Sequence, residues 1–387
     1  MRKRLGGLTE GGPTAAGAGG KAGARGAAEG GGVGGPRVQP GRPDRFARRC
    51  QLKVAVFGPH GLRSPGPGQP GAGQPGAGQL DAGQLDAGQL DAAGRGQPLL
   101  RVVTGQVLDA SPQVLVIGTS EGEERFALAA DARAWRGERT APAAIRAGDQ
   151  AVVRRHRSGR EVADRIWANI GRVTGTIVQR HGRTLLVAQA GPSEAQGGGH
   201  QAVMIGKRAA GRIQVRFPRL EPGYLVDLIG IRHDGYLEGL VPATSQPTYR
   251  ADHVPTPPLV NGHVPTAISG AAMWHEPGDE PDGLTGAAYP AVDPQNADDA
   301  GAAGSGCVSL PYLSVGSVLR VRNDCTGLSR VLPVLGPADT ARLFCDRSVS
   351  CGPSPRGRIV DLTVTSFAEL GGELDEGNVN VTIEIGA

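Results

Sequence analysis

The sequence predicts a mainly β protein in which three small folded modules follow a low-complexity N-terminal region. Three observations predict this class. From residue 99 onward, short runs rich in β-branched residues recur about every 8 to 12 residues between Gly and charged turns, which is typical of small barrels or sandwiches. Part of that pattern occurs twice. Finally, 63 Gly and 30 Pro among 387 residues are too many for a chain that is folded throughout.

Residues 1–98 are predicted to form a disordered tether. A five-residue unit at 69–73 recurs at 74–78 and then changes to Gln-Leu-Asp-Ala-Gly at 79–83. One Leu in every five residues matches neither the helical nor the strand period, so the segment cannot bury an apolar face. A solvated tail is the preferred interpretation, and a spacer that crosses a cell wall is the alternative.

Two tandem β-modules are predicted at 99–170 and 171–245. The Val-Thr-Gly pattern of 103–107 returns at 173–177, and the pattern of 147–153 returns at 222–228, which indicates a duplication. Strand number and length favour small five-stranded barrels of the oligonucleotide/oligosaccharide-binding type. One or two helical turns are expected around 129–135.

Charge divides the chain into a basic front and an acidic back. Residues 1–97 hold 13 Lys/Arg and 6 Asp/Glu (net +7), residues 98–245 hold 20 and 14 (net +6), and residues 246–387 hold 8 and 17 (net −9). The acidic part argues against nucleic-acid binding there. The basic modules could act as a nucleic-acid adaptor, but no interleaved aromatic residues mark a stacking surface. The aromatic residues there are expected to serve in packing: Trp135, Trp167, Tyr224 and Tyr236. No nucleic-acid partner is therefore expected.

A Pro-rich linker is predicted at 246–267. It contains His-Val-Pro-Thr twice, beginning at His253 and His263. Histidines flanked by Pro in a linker are usually exposed, so no metal site and no cofactor are expected.

Four of the five cysteines lie in the acidic part: Cys307, Cys325, Cys345 and Cys351. Their spacing lacks the C-x-x-C pattern of a zinc site and predicts two disulfides, hence an oxidising, extracytoplasmic location. Connectivity stays open at this stage, although pairing Cys345 with Cys351 and Cys307 with Cys325 would close short loops. The basic start has no apolar run behind it, so neither a signal peptide nor a transmembrane segment is recognisable.

Residues 268–387 are predicted to form a compact β module with one short helix. In the last strand Val379, Val381, Ile383 and Ile385 fall on one face. Before it, Thr363 is suited to cap a helix whose apolar stripe ends at Gly371. An acidic Gly/Pro/Asp loop is expected to precede Cys307.

This module resembles the rare lipoprotein A (RlpA)-like double-psi β-barrel family. The similarity rests on an Ala-Ala-Met-Trp strand at 271–274, the Val-Gly-Ser strand at 315–323, Thr-Gly-Leu-Ser at 326–329, and Gly-Pro followed by Arg-Ile-Val-Asp-Leu-Thr at 352–363. The resemblance implies a six-stranded double-psi barrel. It also implies a secreted or cell-envelope protein that binds peptidoglycan or a related glycan.

Some members of this family are lytic transglycosylases of peptidoglycan, and the resemblance implies that Asp361 is the catalytic acid/base. A single carboxyl can protonate the leaving oxygen and then deprotonate an internal hydroxyl, and apolar neighbours on a strand raise its pKa. The implied glycan contacts are Arg356, Arg358, Trp274 and Tyr289.

The sequence departs from the family pattern at two places. The expected histidine is replaced by Tyr289 or Leu310, depending on the register, and His275 is a candidate to substitute for it in space. The Asp-Arg pair at 346–347 is separated from the Gly-Pro pair at 352–353. The preferred function is therefore glycan binding with little or no catalysis, catalysis by Asp361 is the alternative, and a structural carboxylate is the simplest role for that residue.

Overall fold

The structure is a computed structural model that describes residues 100–157, 159, 161–189, 199–253, 266–275, 283–293, 309–338, 340–349 and 351–386. The predicted tether at 1–98 lies outside these ranges. Within them the chain is mainly β, with 55% strand and 9% helix, and contains several closed barrels, which confirms the predicted fold class. No helix of this part is long and apolar enough to cross a membrane.

The first barrel lies at the start of the described chain. Its strands are β1 (Val102–Ala110), β2 (Val114–Thr119), β3 (Gly122–Trp135), the two-residue β4 (Arg139–Thr140), β5 (Gln150–Arg155) and β6 (Val162–Ala168). Pairing of β2 with β3 closes the order β1-β2-β3-β6-β5, with β3 and β6 parallel. The helical turn expected at 129–135 is wrong, because the Ala-rich segment forms the end of β3 and pairs Ala134 with Ile166 on β6. Tertiary pairing overrides the helix propensity of Ala here.

The second barrel has the same order, β7-β8-β9-β11-β10, with β9 and β11 parallel. Its elements are β7 (Ile170–His181), β8 (Thr184–Gln189), β9 (His200–Ile205), α1 (Ala210–Arg216), β10 (Leu225–His233) and β11 (Tyr236–Pro242). A five-stranded barrel with a helix between its third and fourth strands is the arrangement of oligonucleotide/oligosaccharide-binding folds.

The repeated sequence patterns occupy equivalent positions in the two barrels. The backbone N–H of Gly148 donates to the Val107 carbonyl at 2.8 Å, and that of Gly223 donates to the Ile177 carbonyl at 2.7 Å. Both glycines have positive φ, 91° and 86°, a conformation that residues with a Cβ rarely adopt. The duplication seen in the sequence is thus repeated in the backbone hydrogen bonds.

The C-terminal barrel is six-stranded and closed in the order β12-β18-β13-β15-β14-β19. Two of its pairs, β12–β18 and β13–β15, are parallel, and the other four are antiparallel. Its elements are β12 (Ala267–His275), β13 (Ala287–Tyr289), β14 (Val318–Asn323), β15 (Ser329–Pro337), the hairpin strands β16 (Ser348–Val349) and β17 (Gly352–Pro353), β18 (Arg358–Thr363), α2 (Val364–Glu369) and β19 (Asn378–Ile385).

The predicted end of this module is confirmed. Thr363 Oγ1 accepts a hydrogen bond from the Ser366 N–H at 3.3 Å and caps α2, and Gly371 follows it with φ 80°. The apolar side of β19 is buried, with Val381 and Ile383 fully enclosed. The expected acidic loop is interrupted by a barrel strand, β13. This strand has only three residues, Ala-Ala-Tyr, which are too few to show a hydrophobic alternation in the sequence.

Acidic residues of the C-terminal barrel pair with basic residues of the first barrel. Carboxylates of the turn at 373–376 in the C-terminal barrel face the first barrel, where Glu373 pairs with Arg154 at 3.0 Å and with Arg165 at 3.3 Å. Arg139 pairs with Asp375 and Glu376 in the same turn. Three arginines of the first barrel, Arg139, Arg154 and Arg165, are therefore used in contacts with the C-terminal barrel.

The predicted linker begins as ordered, buried chain. Gln246 is 2% exposed, and its side-chain amide donates to the Leu343 carbonyl at 3.3 Å. Its amide oxygen accepts from the Cys345 N–H. The segment thus packs on the C-terminal barrel at Gln246 and then returns to the second barrel, where the Tyr249 carbonyl accepts from the Leu225 N–H at 2.9 Å. Residues 254–265 lie outside the described chain.

Candidate functional site

Asp361 lies on β18, between two neighbouring strands of the C-terminal barrel. Its backbone pairs with Met273 on β12 and with Ala288 on β13. Strand alternation predicts one covered and one open face, but all six residues of β18 are buried, and Asp361 itself is 2% exposed. The carboxyl therefore lies inside the barrel wall rather than on an open groove.

One oxygen of this carboxyl is held by a single hydrogen bond. Thr340 Oγ1 donates to Asp361 Oδ2 at 2.7 Å, and Oδ1 has no hydrogen-bond partner within the described chain. Burial raises the pKa of Asp361, against the opposing effects of the Thr340 hydrogen bond and of the positive charges of His275 and Arg358. A carboxyl in this setting favours its protonated form more than an exposed aspartate does.

His275 is the histidine that the structure brings near this carboxyl. It is the last residue of β12, it pairs in register with Thr363, and it is partly exposed. A positive charge on this imidazole lowers the pKa of Asp361. The sequence could name His275 only as a spatial substitute, because nothing in a linear motif shows that β12 and β18 run side by side.

Arg358 is fully buried in an ion network that joins two barrels. Its Nε donates to Asp346 Oδ2 at 2.5 Å, and its Nη2 donates to Asp227 Oδ2 of the second barrel at 2.6 Å. Arg172 binds the same Asp227 through Nε at 2.9 Å and Nη2 at 2.7 Å. Burial raises the pKa of Asp227, but the two guanidinium groups outweigh it and lower that pKa to about 2. Arg358 is committed to this network and presents no guanidinium edge to a glycan.

Trp274 and Tyr289 are also buried. The Trp274 indole N–H donates to the Leu374 carbonyl at 3.0 Å, and the Tyr289 hydroxyl donates to the Pro311 carbonyl at 3.0 Å. Burial raises the pKa of the Tyr289 phenol. Among the four implied glycan contacts, only Arg356 has an exposed side chain.

Tyr312 is an exposed aromatic residue that the sequence reasoning did not single out. Its side chain is 62% exposed. The neighbouring Pro311 is held by the Tyr289 hydroxyl, and the Tyr289 carbonyl accepts from the Ala338 N–H two residues before Thr340. The Tyr312 ring therefore belongs to a segment that is hydrogen-bonded, through Tyr289, to the chain just before Thr340, the partner of Asp361. Only its position after a Leu-Pro pair could have drawn attention to it.

The interrupted Asp-Arg and Gly-Pro pairs are brought together by a hairpin. Strand β16 follows the Asp-Arg pair directly, and the Gly-Pro pair itself forms β17. Ser348 pairs with Pro353, and the Ser354 N–H donates to the Arg347 carbonyl at 2.9 Å. Asp346 lies at the base of this hairpin and binds Arg358. The Asp-Arg pair and the Gly-Pro pair are therefore neighbours in the structure, although four residues separate them in the sequence.

The cysteine pairing differs from the expected one. Cys325 is bonded to Cys351, so the predicted Cys345–Cys351 and Cys307–Cys325 pairs do not form. Cys345 is also in a disulfide, while Cys307 lies outside the described residues. The prediction was wrong because it relied on short loop length. The β16–β17 hairpin instead places Cys351 beside Cys325, which lies in the turn after β14.

A cavity of about 240 Å³ lies away from Asp361, between the first and the C-terminal barrels. Its walls include Arg154, which donates hydrogen bonds to both Asp164 and Glu373. No cluster of His, Cys, Asp and Glu suited to a metal ion occurs within the described ranges.

The chain was compared with known proteins at the level of families and of individual sequences. No protein-family model matches the chain, and a search of curated proteins gave no match.

Proposed function

We propose that this is a cell-envelope protein whose C-terminal barrel binds peptidoglycan or a related glycan. The observation that carries the proposal is the exposed ring of Tyr312 on the segment tied to the surroundings of Asp361. A flat aromatic ring can pack against the apolar C–H face of a sugar, and a few polar groups beside it then set the orientation. The Cys325–Cys351 disulfide is compatible with an extracellular location.

Binding to purified peptidoglycan sacculi tests this proposal. Wild-type protein should sediment with the sacculi, and Tyr312→Ala should weaken binding by about tenfold, a loss typical of a contact residue that anchors an interface. Tyr249→Ala, a partly exposed tyrosine at the edge of the second barrel, is the matched control and should bind as wild type does. If the Tyr312→Ala variant bound as well as wild type, the exposed ring would not be a glycan contact, and the proposal would lose its support.

Lytic transglycosylation is a second candidate, favoured by the state of the Asp361 carboxyl. Its raised pKa and its unpartnered Oδ1 suit a group that first gives its proton to the glycosidic oxygen. The resulting carboxylate would then take the proton of an internal hydroxyl, which closes the anhydro ring as the glycosidic bond breaks. Because Asp361 is 2% exposed, the sugar can reach it only after the residues that cover it move.

Product analysis separates the two candidates. A lytic enzyme releases anhydro-muropeptides from denuded sacculi, detectable by mass spectrometry, and Asp361→Asn should abolish them. Asp324→Asn, a change of a partly exposed carboxylate on the same barrel, should leave release unchanged. Sedimentation with sacculi in the absence of any released product would support binding and reject the enzyme.

A further inference from the structure

A cationic surface on the second barrel is not explained by the glycan proposal. The described residues of 178–189 and 199–221 include seven Lys/Arg and one acid, Glu221. The seven are Arg180, Arg183, Lys207, Arg208, Arg212, Arg216 and Arg219, and all have exposed side chains. Within the described chain none of the seven forms an ion pair, whereas the first barrel pairs its Arg136, Arg139, Arg154, Arg155 and Arg165 with carboxylates.

Five of these cations are gathered at one end of the barrel, which we call the basic end: Arg180, Arg183, Lys207, Arg208 and Arg219. The tip of the β7–β8 hairpin reaches the end of β9, because the Ile205 N–H donates to the Arg183 carbonyl at 2.8 Å. Lys207 and Arg208 follow β9 after a single residue, Gly206. Arg180 Nη1 donates to the Leu220 carbonyl at 3.3 Å, which brings the hairpin to the loop that carries Arg219.

The outer surface of β8, β9 and β11 adjoins the basic end. Leu186, Ala202 and Tyr236 lie in one row across these strands, and the ring of His233 stacks on Tyr236 with centroids 4.6 Å apart. Met204, 37% exposed, lies in the next row toward the basic end. Glu238 lies beside Met204 in the same row, and its Oε2 is 3.6 Å from His233 Nε2. The surface therefore offers a shallow apolar strip with positive charge at its end.

We infer that the basic end and the adjoining strip bind an anionic phosphodiester polymer of the cell wall. Guanidinium groups bind phosphate through paired hydrogen bonds, and several unpaired cations in a row favour a ligand with repeating charges over a single small anion. The apolar strip can take the carbon skeleton between phosphates. The choice of a wall polymer over a nucleic acid rests on the proposed envelope location and on the disulfide.

Fluorescence anisotropy of the full chain with labelled poly(glycerol phosphate) tests this inference. The variant Arg183→Gln/Lys207→Gln/Arg208→Gln should weaken binding at least tenfold and lower the slope of log K against log salt by about two to three, since each lost phosphate contact removes nearly one released counterion. The matched control Arg101→Gln/Arg125→Gln/Arg133→Gln removes the same charge from exposed positions of the first barrel and should bind as wild type does. Tyr312→Ala should also bind this glycan-free polymer normally, so failure here is distinguishable from failure of glycan binding.

Three results would overturn the inference. The first is no binding of poly(glycerol phosphate) at low salt. The second is an equal loss in the two triple variants, which would indicate nonspecific attraction by net charge. The third is binding of single-stranded oligodeoxythymidylate without binding of poly(glycerol phosphate), which would assign the surface to nucleic acid instead. Because all six replaced side chains are exposed, each variant should keep the wild-type melting temperature, which is checked first.

Discussion

Arg358 of the C-terminal barrel and Asp227 of the second barrel form a fully buried ion pair at 2.6 Å. Each has a further partner of opposite charge, Asp346 for Arg358 and Arg172 for Asp227, so charges alternate across the junction between the two barrels. Thr174 Oγ1 adds a hydrogen bond to Asp227 at 3.0 Å. A buried charge is tolerated only when it is paired and hydrogen-bonded, and this network meets that condition by linking two modules.

Arg358→Met should lower the free energy of unfolding by about 3 to 5 kcal/mol, because it leaves Asp346 without its buried cation and removes one of the two that hold Asp227. Chemical denaturation measures the loss. Arg356→Met, two residues earlier and exposed, should change stability by less than about 0.5 kcal/mol. A stable Arg358→Met variant with weakened glycan binding would contradict the structural role and favour the role implied by the family resemblance.

The sequence predicted those parts of the fold that depend on local patterns. Strand β19 and helix α2 could be predicted because the alternation of apolar residues and the capping residues are local signals, contained within a few neighbouring positions. The duplication was readable because both copies need a left-handed glycine, Gly148 and Gly223, in the same hydrogen bond.

The site was less accessible to sequence reasoning, because its properties depend on long-range contacts. The position of Arg358 beside a Gly/Pro turn predicts a ligand contact, but its actual partners Asp227 and Asp346 are 131 and 12 residues away in the sequence. The burial of Asp361 on both sides follows from β12 and β13, which no local period reveals. The disulfide depends on the β16–β17 hairpin in the same way.

The Cys325–Cys351 bond closes a loop with a sequence separation of 26. Replacing both cysteines by serine should lower the free energy of unfolding by about 3 to 4 kcal/mol, because the open chain regains the entropy that the crosslink removes from the unfolded state. Denaturation with and without reductant measures this difference. Ser348→Ala, a change at an exposed position of the same hairpin, is the control and should alter the free energy of unfolding by less than about 0.5 kcal/mol.

Peptide mapping without reductant checks the connectivity itself. A linked peptide pair containing Cys325 and Cys351 is expected. Recovery of Cys351 bonded to Cys345 would contradict the structure and restore the short-loop pairing.

Asp361→Asn should stabilise the protein at neutral pH. Because burial raises the pKa of Asp361 in the folded state, its stabilising contribution is fully present below the unfolded pKa of about 3.8 and is lost as pH rises through the folded pKa. The amide carries no charge to desolvate and can still accept from Thr340. The difference between variant and wild type should therefore be positive at pH 7 and shrink toward zero below pH 3.8.

Asp227→Asn provides a control of opposite sign. Arg172 and Arg358 hold the pKa of Asp227 at about 2 against burial, so the stability from its ionised form is present above the unfolded pKa of 3.8 and is lost as pH falls through about 2. This variant should be destabilised at pH 7, and its deficit should shrink between pH 4 and pH 2. Denaturant titrations at a series of pH values measure both variants against wild type. If Asp361→Asn also lost stability at pH 7, Asp361 would be an ionised structural carboxylate, and its proposed role as a general acid would be rejected.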